Sequence, residues 1–264
     1  MPELPDVEGF KRYFEQTSLH KTIEQVQVLA PEMVYWISPQ RLKRELKGHS
    51  FERAIRHGKY LFAELENKKS LVLHFGMTGF LLHVTNPSDF PSHVRLLLQF
   101  AKNDALAFDC LRKLGKISFT ENISRFVQEE RGLGPDAITL TYKNFHGLLK
   151  KRKGRIKPVL MNQSVLAGIG NIWADEILFQ SGIHPKTRID ELNPIQIRTM
   201  FDVMLNVLNT AIRKQQNESE LPRKYLTRSR NNKGACPICK TVFNREQIGG
   251  RTTYYCPSCQ AFSF

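Results

Sequence analysis

Residues 168–185 read GIGNIWADEILFQSGIHP, and their spacing decides how the carboxy-terminal half folds. Trp173 and Ile177 stand four apart, as do Ala174 and Leu178, and Gly182 follows where a helix end favours a left-handed residue. The spacing therefore predicts a helix over about 172–180. Gly168-Ile169-Gly170-Asn171 opens that helix, so backbone N–H groups and the positive end of the dipole face whatever lies in front, a place that suits a phosphate. Asn171 is there either a phosphate ligand or a plain N-cap. The Gly-x-Gly does not continue as Gly-x-Gly-x-x-Gly, and no βαβ unit surrounds it, which argues against a dinucleotide fold.

Downstream, a second helix is predicted over about 194–215, and the polar stretch from about 216 to 235 reads as a mobile loop. Upstream, Gly132-Leu133-Gly134-Pro135 reads as a linker. Six of the eight residues from Lys150 to Lys157 are basic, which makes this block either a solvated helix face or a nucleic-acid contact. From about 20 to 130 the chain consists of short β-rich runs such as Val26–Leu29, Tyr60–Phe62, Leu71–Leu73, Leu96–Phe100, Ala105–Phe108 and Ile117–Phe119. Lys102-Asn103-Asp104 is a hairpin turn between two of them. Strands at this spacing without intervening helices predict a β-sandwich or barrel. Before them, Val7, Phe10 and Phe14 predict a helix over about 5–17 with proline in its first turn, leaving Pro2 and Glu3 ahead of it.

The 264 residues, 41% hydrophobic and 24% charged, are enough for two modest domains and exclude disordered, collagen-like and coiled-coil classes. A net charge of +14 calls for a polyanionic partner, nucleic acid first and an anionic membrane surface second. The start MPELPDVEGF has no basic and apolar leader pattern, and no apolar run approaches the roughly 18 residues of a membrane helix, so a soluble intracellular protein without a membrane partner is expected.

Cys236-x-x-Cys239 is followed after sixteen residues by Cys256-x-x-Cys259, the spacing of a tetrahedral four-cysteine zinc site. Four thiolates leave no open position for water, so the one ion expected is structural. The remaining Cys110 lies in an apolar stretch and reads as a buried thiol. Arg251 follows Gly249-Gly250 at a predicted hairpin tip, where a guanidinium can reach a phosphate. Removal of Met1 would make Pro2 a secondary amine, a nucleophile able to form an iminium at an aldehyde-level carbon, with the Glu3 carboxyl beside it.

Taken together, MPELPDVE, HGKYL around Lys59, HFGMTG around Met77, LGPD at 133–136, GIGNIWADEILFQSGIHP and the cysteine pairs with GRTTYYC resemble the formamidopyrimidine-DNA glycosylase and endonuclease VIII superfamily of base-excision repair enzymes, nearer its formamidopyrimidine-DNA glycosylase branch. The match runs the length of the chain in family order. It implies an α+β fold, with an amino-terminal helix and β-sandwich over 1–131, a linker at 132–135, a helix-two-turn-helix domain over 136–220, and a loop and four-cysteine zinc hairpin over 221–264. It also implies a monomer in the cytoplasm or on the nucleoid, acting on double-stranded DNA with damaged bases or abasic sites, with DNA in a cleft between the lobes.

By position, the resemblance makes Pro2 the nucleophile at C1′ and Glu3 the general acid/base, and gives Lys59 the phosphate near the lesion. Asn171 and Arg251 take the phosphates flanking a flipped nucleotide, and Met77, Arg112 and Leu114 fill the vacated stack. The implied activity is a bifunctional glycosylase and abasic-site lyase for oxidised bases, 8-oxoguanine and formamidopyrimidines first. The alternatives are an oxidised-pyrimidine glycosylase of the endonuclease VIII type and a non-catalytic damage-binding protein. Two departures stand out: Leu114 occupies the position where the purine-acting branch usually has phenylalanine, and residues 217–233 lack the usual tyrosine-glycine-arginine pattern.

Overall fold

In the computed structural model, which describes residues 1–86, 90–101, 103–214, 218–231 and 233–261, the chain divides into two units. The first comprises Met1–Pro2 and Asp6–Gly132, the second Glu3–Pro5 and Leu133–Phe264.

In the first unit, α1 (Leu4–Ser18) presents Val7 and Phe14 to the core at helical spacing, and Phe14 meets Phe51 edge-on with ring centroids 5.0 Å apart. The strands are β1 (Gln25–Val28), β2 (Phe51–His57), β3 (Tyr60–Leu65), β4 (Ser70–His74), β5 (Gly79–Val84), β6 (Val94–Gln99), β7 (Ala105–Cys110) and β8 (Lys116–Thr120). They form two four-stranded antiparallel sheets, ordered β1-β6-β7-β5 and β2-β3-β4-β8, so the expected sandwich is present. Strand β7 lies inside its sheet and is buried along its whole length, and Cys110 at its end is a buried thiol. Position Lys102 of the expected hairpin turn lies outside the described residues; β6 and β7 on either side of it pair antiparallel.

Strands β2 and β5 are absent from the sequence reading. β2 carries charges that obscure alternation and that the fold neutralises: Arg53 donates to both oxygens of Glu64 at 2.9 and 3.0 Å, and Arg56 donates to Glu8 at 2.9 Å. The expectation of strands without intervening helices is corrected by α2 (Pro39–Leu46) between β1 and β2. Its sequence PQRLKREL is mostly polar, yet its two leucines, Leu42 and Leu46, stand four apart and are fully buried, Pro39 takes the first helical position, and the Ser38 hydroxyl accepts from Arg41 N. After β8, the short α3 (Ile123–Arg125) runs into a π-helical turn, Phe126–Glu130, which buries Phe126 against the Tyr60 and Phe62 rings.

The second unit holds α4 (Tyr142–Lys150), α5 (Ile156–Met161), α6 (Asn171–Gln180), α7 (Pro194–Arg213) and the hairpin β9 (Asn244–Ile248) and β10 (Arg251–Tyr255). Helix α7 starts with a capping box in which Asn193 and Gln196 exchange backbone bonds, with Pro194 in the first turn. Helix α6 is buried from Trp173 to Phe179. The basic block is not one solvated face: Lys150 ends α4, whereas Lys157 sits in α5 with no exposed surface. Nor are residues 216–235 a mobile loop where they are described. Leu221, Tyr225 and Leu226 are buried, and Leu226–Ser229 forms a 3-10 turn; 215–217 and 232 lie outside the described residues. Too few apolar residues occur there for periodicity to reveal burial, because what anchors this segment is a polar contact described below.

Between β4 and β5, Gly76 has φ +60°, and a Cβ on it would overlap the backbone carbonyl of Leu114. Gly76→Ala combines a left-handed strain with that overlap, so it is expected to destabilise the first unit by more than about 1 kcal/mol, read as a lowered thermal transition. An unchanged transition would show that the 76–79 turn is not held against residues 114–115.

Candidate functional site

The amino-terminal end of α6 lacks a side-chain cap of its own, because its N-cap is Gly170. Glu3 supplies the acceptor from the far end of the chain. Gly170 N and Trp173 N donate to its Oε2 at 2.8 and 3.3 Å, and Ile172 N donates to Oε1 at 2.9 Å. A buried carboxylate at a helix N-terminus meets both free N–H groups and the positive dipole end. Glycine at 170 is required, since a Cβ would overlap the Glu3 carboxyl. Gly168, at φ +112°, similarly admits Leu4, whose N–H donates to Gly168 O at 3.0 Å. The expected anion site in front of α6 thus receives the chain's own carboxylate, adjacent in sequence to Pro2.

Asn171 is not the N-cap. Its Oδ1 accepts from Lys157 Nζ at 2.8 Å and its Nδ2 donates to Thr252 O at 2.9 Å, so the amide bridges α5 and β10. Lys157 also donates to Thr253 Oγ1 at 2.6 Å and pairs with Asp175 at 2.7 Å. Burial pushes its ammonium below the usual lysine range, and Asp175 opposes that shift. The second oxygen of Asp175 accepts from Arg230 at 2.8 Å and from Tyr254 N at 3.2 Å. Next to it, the buried Glu176 accepts from Leu226 N, from Thr227 N at 2.8 Å and from the Thr227 hydroxyl at 2.6 Å, which is what fixes the 226–229 turn. Burial raises the Glu176 carboxyl above the ordinary range against those donors. Arg251 begins β10 after two left-handed glycines and is exposed at the tip, while Gly249 packs against Pro158.

In the first unit Lys59 lies in the β2–β3 turn and is buried but for 8% of its surface. Its neighbour Tyr60 is paired across the strands with His74, ring centroids 4.8 Å apart. Burial, then the positive charges of Lys59, Lys116 and Arg131, push His74 down to about 4, so the imidazole is neutral at pH 7. Met77, Arg112 and Leu114 come together: Met77 and Leu114 are exposed apolar side chains, Arg112 Nη1 stands 3.2 Å from Met77 Sδ, and Arg112 N donates to Thr78 Oγ1. Gly76 sets the Met77 turn against the Leu114 backbone.

The four cysteine sulfurs lie within 4.8 Å of one another, with Cys236 and Cys259 3.8 Å apart and Cys239 and Cys256 3.4 Å apart. A tetrahedron with Zn–S bonds of about 2.3 Å has edges of about 3.8 Å, so the donor set fits one structural zinc. The amides of Cys239 and Cys259 each donate to the first sulfur of their own pair.

Lys157, Asp175, Glu176 and Arg230 are the residues sequence reasoning missed as partners. A signal existed in Asp175-Glu176, two adjacent acids inside an otherwise apolar helix, which burial obliges to find donors.

Three family models match the chain in order. These are the formamidopyrimidine-DNA glycosylase N-terminal domain over residues 1–117, the formamidopyrimidine-DNA glycosylase H2TH domain over 132–222, and the zinc finger found in FPG and IleRS over 235–261. The formamidopyrimidine-DNA glycosylase of Carboxydothermus hydrogenoformans is 32% identical, covering 98% of this chain and 100% of its own. That of Crocosphaera subtropica is 35% identical, covering 98% of each. The Lactococcus lactis glycosylase, solved non-covalently bound to DNA containing an AP site, superposes with a TM-score of 0.87 at 29% identity over 98% of this chain and 100% of that one. A second structure of the Lactococcus lactis protein, with FAPY-dG-containing DNA, gives 0.86 at 28%.

Lys157→Met leaves Asp175 buried with a lost partner and Asn171 with a lost donor, and is expected to destabilise the second unit by about 3–5 kcal/mol in denaturant melts; a loss under about 1 kcal/mol would show the ion pair to be dispensable. Metal analysis should find about one zinc per chain, and Cys256→Ser should abolish it and loosen residues 235–261 to proteolysis. Stoichiometric zinc retained by the serine variant would break the four-cysteine assignment.

Proposed function

The chain belongs to the formamidopyrimidine-DNA glycosylase family, and from that premise we propose that it excises oxidised purines, 8-oxoguanine and formamidopyrimidines, and then cleaves the abasic site through a Schiff base on Pro2. With Met1 removed, the Pro2 nitrogen attacks C1′ of the extruded nucleotide while the bond from C1′ to the base breaks and the base leaves with a proton. Opening of the sugar ring leaves an iminium between Pro2 and C1′, from which loss of the C2′ proton starts elimination. Glu3 is the group that moves protons to and from the opening sugar.

The observation that carries this reading is the seat of Glu3. A carboxylate held by three backbone N–H groups and 1% exposed is fixed in position one residue from the nucleophile, and such preorganisation is what proton transfer at a defined atom needs. Lys59, Asn171 and Arg251 are the phosphate ligands in this reading. Met77 and Leu114 fill the gap left by extrusion, and Arg112 offers planar donors to the edge of the orphaned base.

Borohydride reduces an iminium to a stable amine, so the purified protein, shown by mass spectrometry to begin at Pro2, is expected to be trapped on duplex DNA carrying 8-oxoguanine or an abasic site. Glu3→Gln should slow base release at least about a hundredfold while binding to abasic DNA is kept. Unimpaired trapping by a protein that retains Met1 would refute the Pro2 assignment.

A further inference from the structure

Tyr35 and Trp36 stand out in the first unit as two adjacent exposed aromatic side chains. Trp36 is 56% exposed and Tyr35 37%, although Met33, two residues before Tyr35, is 1% exposed and already anchors the segment in the core. Trp36 also has φ +60°, a left-handed conformation that a bulky side chain seldom adopts. The ring is supported from beneath: the Arg131 guanidinium lies 4.0 Å from its centroid, and Phe126 meets it edge-on at 6.3 Å. Tyr35 lies alongside at 5.4 Å, with the Lys116 ammonium 5.2 Å from its ring. The acid of this segment, Glu32, is already paired with Lys113 at 2.6 Å.

The segment is tied to the loop that carries Arg112 and Leu114. Tyr35 N donates to Ile117 O at 2.9 Å, Val34 bridges Ile117, and the Glu32–Lys113 pair joins the two directly. Two supported aromatic rings flanked by cations, with the nearby acid neutralised, have the composition that takes a nucleic-acid base on its face and a phosphate at its edge. A base inside a duplex has no free face, so the fitting occupant is an unpaired nucleotide.

We propose that Tyr35 and Trp36 form a stacking platform for an unpaired base of DNA, with Lys116 and Arg131 supplying the charge for its phosphates, a contact separate from the residues that act on the lesion. It rests on the DNA-binding part of the reading above and not on the chemistry at Pro2.

The chain has two tryptophans, and Trp173 is 4% exposed, so emission from a solvated indole reports Trp36. Titration with a single-stranded oligodeoxyadenylate of about a dozen nucleotides should quench that emission, with the same midpoint as the anisotropy of the labelled oligonucleotide. Trp36→Phe should bind within about twofold of the parent, whereas Trp36→Gly should bind about tenfold more weakly. Glycine accepts the positive φ, which offsets the lost contacts to Arg131 and Phe126, so the same variant should stay folded with a thermal transition close to the parent's. Binding of the oligonucleotide with Trp36 emission unchanged would overturn the platform. So would a Trp36→Gly variant that melts lower yet binds as the parent does, or self-association that protects Trp36 in place of DNA. Failure of borohydride trapping with quenching intact would sink the Pro2 chemistry and leave the platform standing.

Discussion

Two adjacent carboxylates, Asp175 and Glu176, sit inside a helix that is buried from Trp173 to Phe179, and a buried carboxylate is tolerated only when it is ion-paired or hydrogen-bonded. Much of the second unit is arranged to meet that demand. Lys157 from α5, Arg230 from the segment after α7 and the Tyr254 amide from β10 converge on Asp175, while Leu226 and Thr227 converge on Glu176. The same ammonium that neutralises Asp175 holds Asn171 and Thr253, so the amide at the start of α6 and the hairpin that ends in Arg251 are positioned by one buried charge. The four-cysteine cluster that would hold zinc lies at the base of that hairpin, and Gly249 packs against Pro158 at its tip.

The start of α6 shows the complementary device. Its leading amides are satisfied by Glu3, more than 160 residues away in the chain, and two glycines clear the space that the Glu3 and Leu4 side chains occupy. A helix N-terminus that would draw an external anion is filled by an internal one, so the dipole and the leading amides fix the Glu3 carboxyl in place. In the sandwich unit the corresponding economy is steric. Gly76 lets the Met77 turn lie against the Leu114 backbone, so that exposed apolar and cationic side chains project from two short turns held against each other.

Much of this was legible in one dimension. The C-x-x-C pairs fix the zinc site because ligand chemistry dictates spacing, α1, α6 and α7 follow from 3.6-residue periodicity, and six of the eight sandwich strands announce themselves as apolar runs. Helix α2 and strand β2 escaped because their polar residues are neutralised by partners distant in sequence, as Arg53 is by Glu64 and Arg56 by Glu8. A periodicity argument weighs each residue alone and cannot see a charge that folding will cancel.

The amino-acid sequence by itself therefore determined the two-part α+β architecture, the metal centre and the residues Pro2, Glu3, Asn171 and Arg251 as the ones to watch, since motif and spacing are local properties. Tertiary structure alone decided that Glu3 caps α6, that Lys157 is a buried counter-ion rather than part of a basic surface, that Asn171 bridges instead of capping, and that the polar 221–230 segment is anchored. Each of these depends on which donors meet which acceptors after the chain has closed on itself, and burial converts a weak surface contact into one the fold cannot do without.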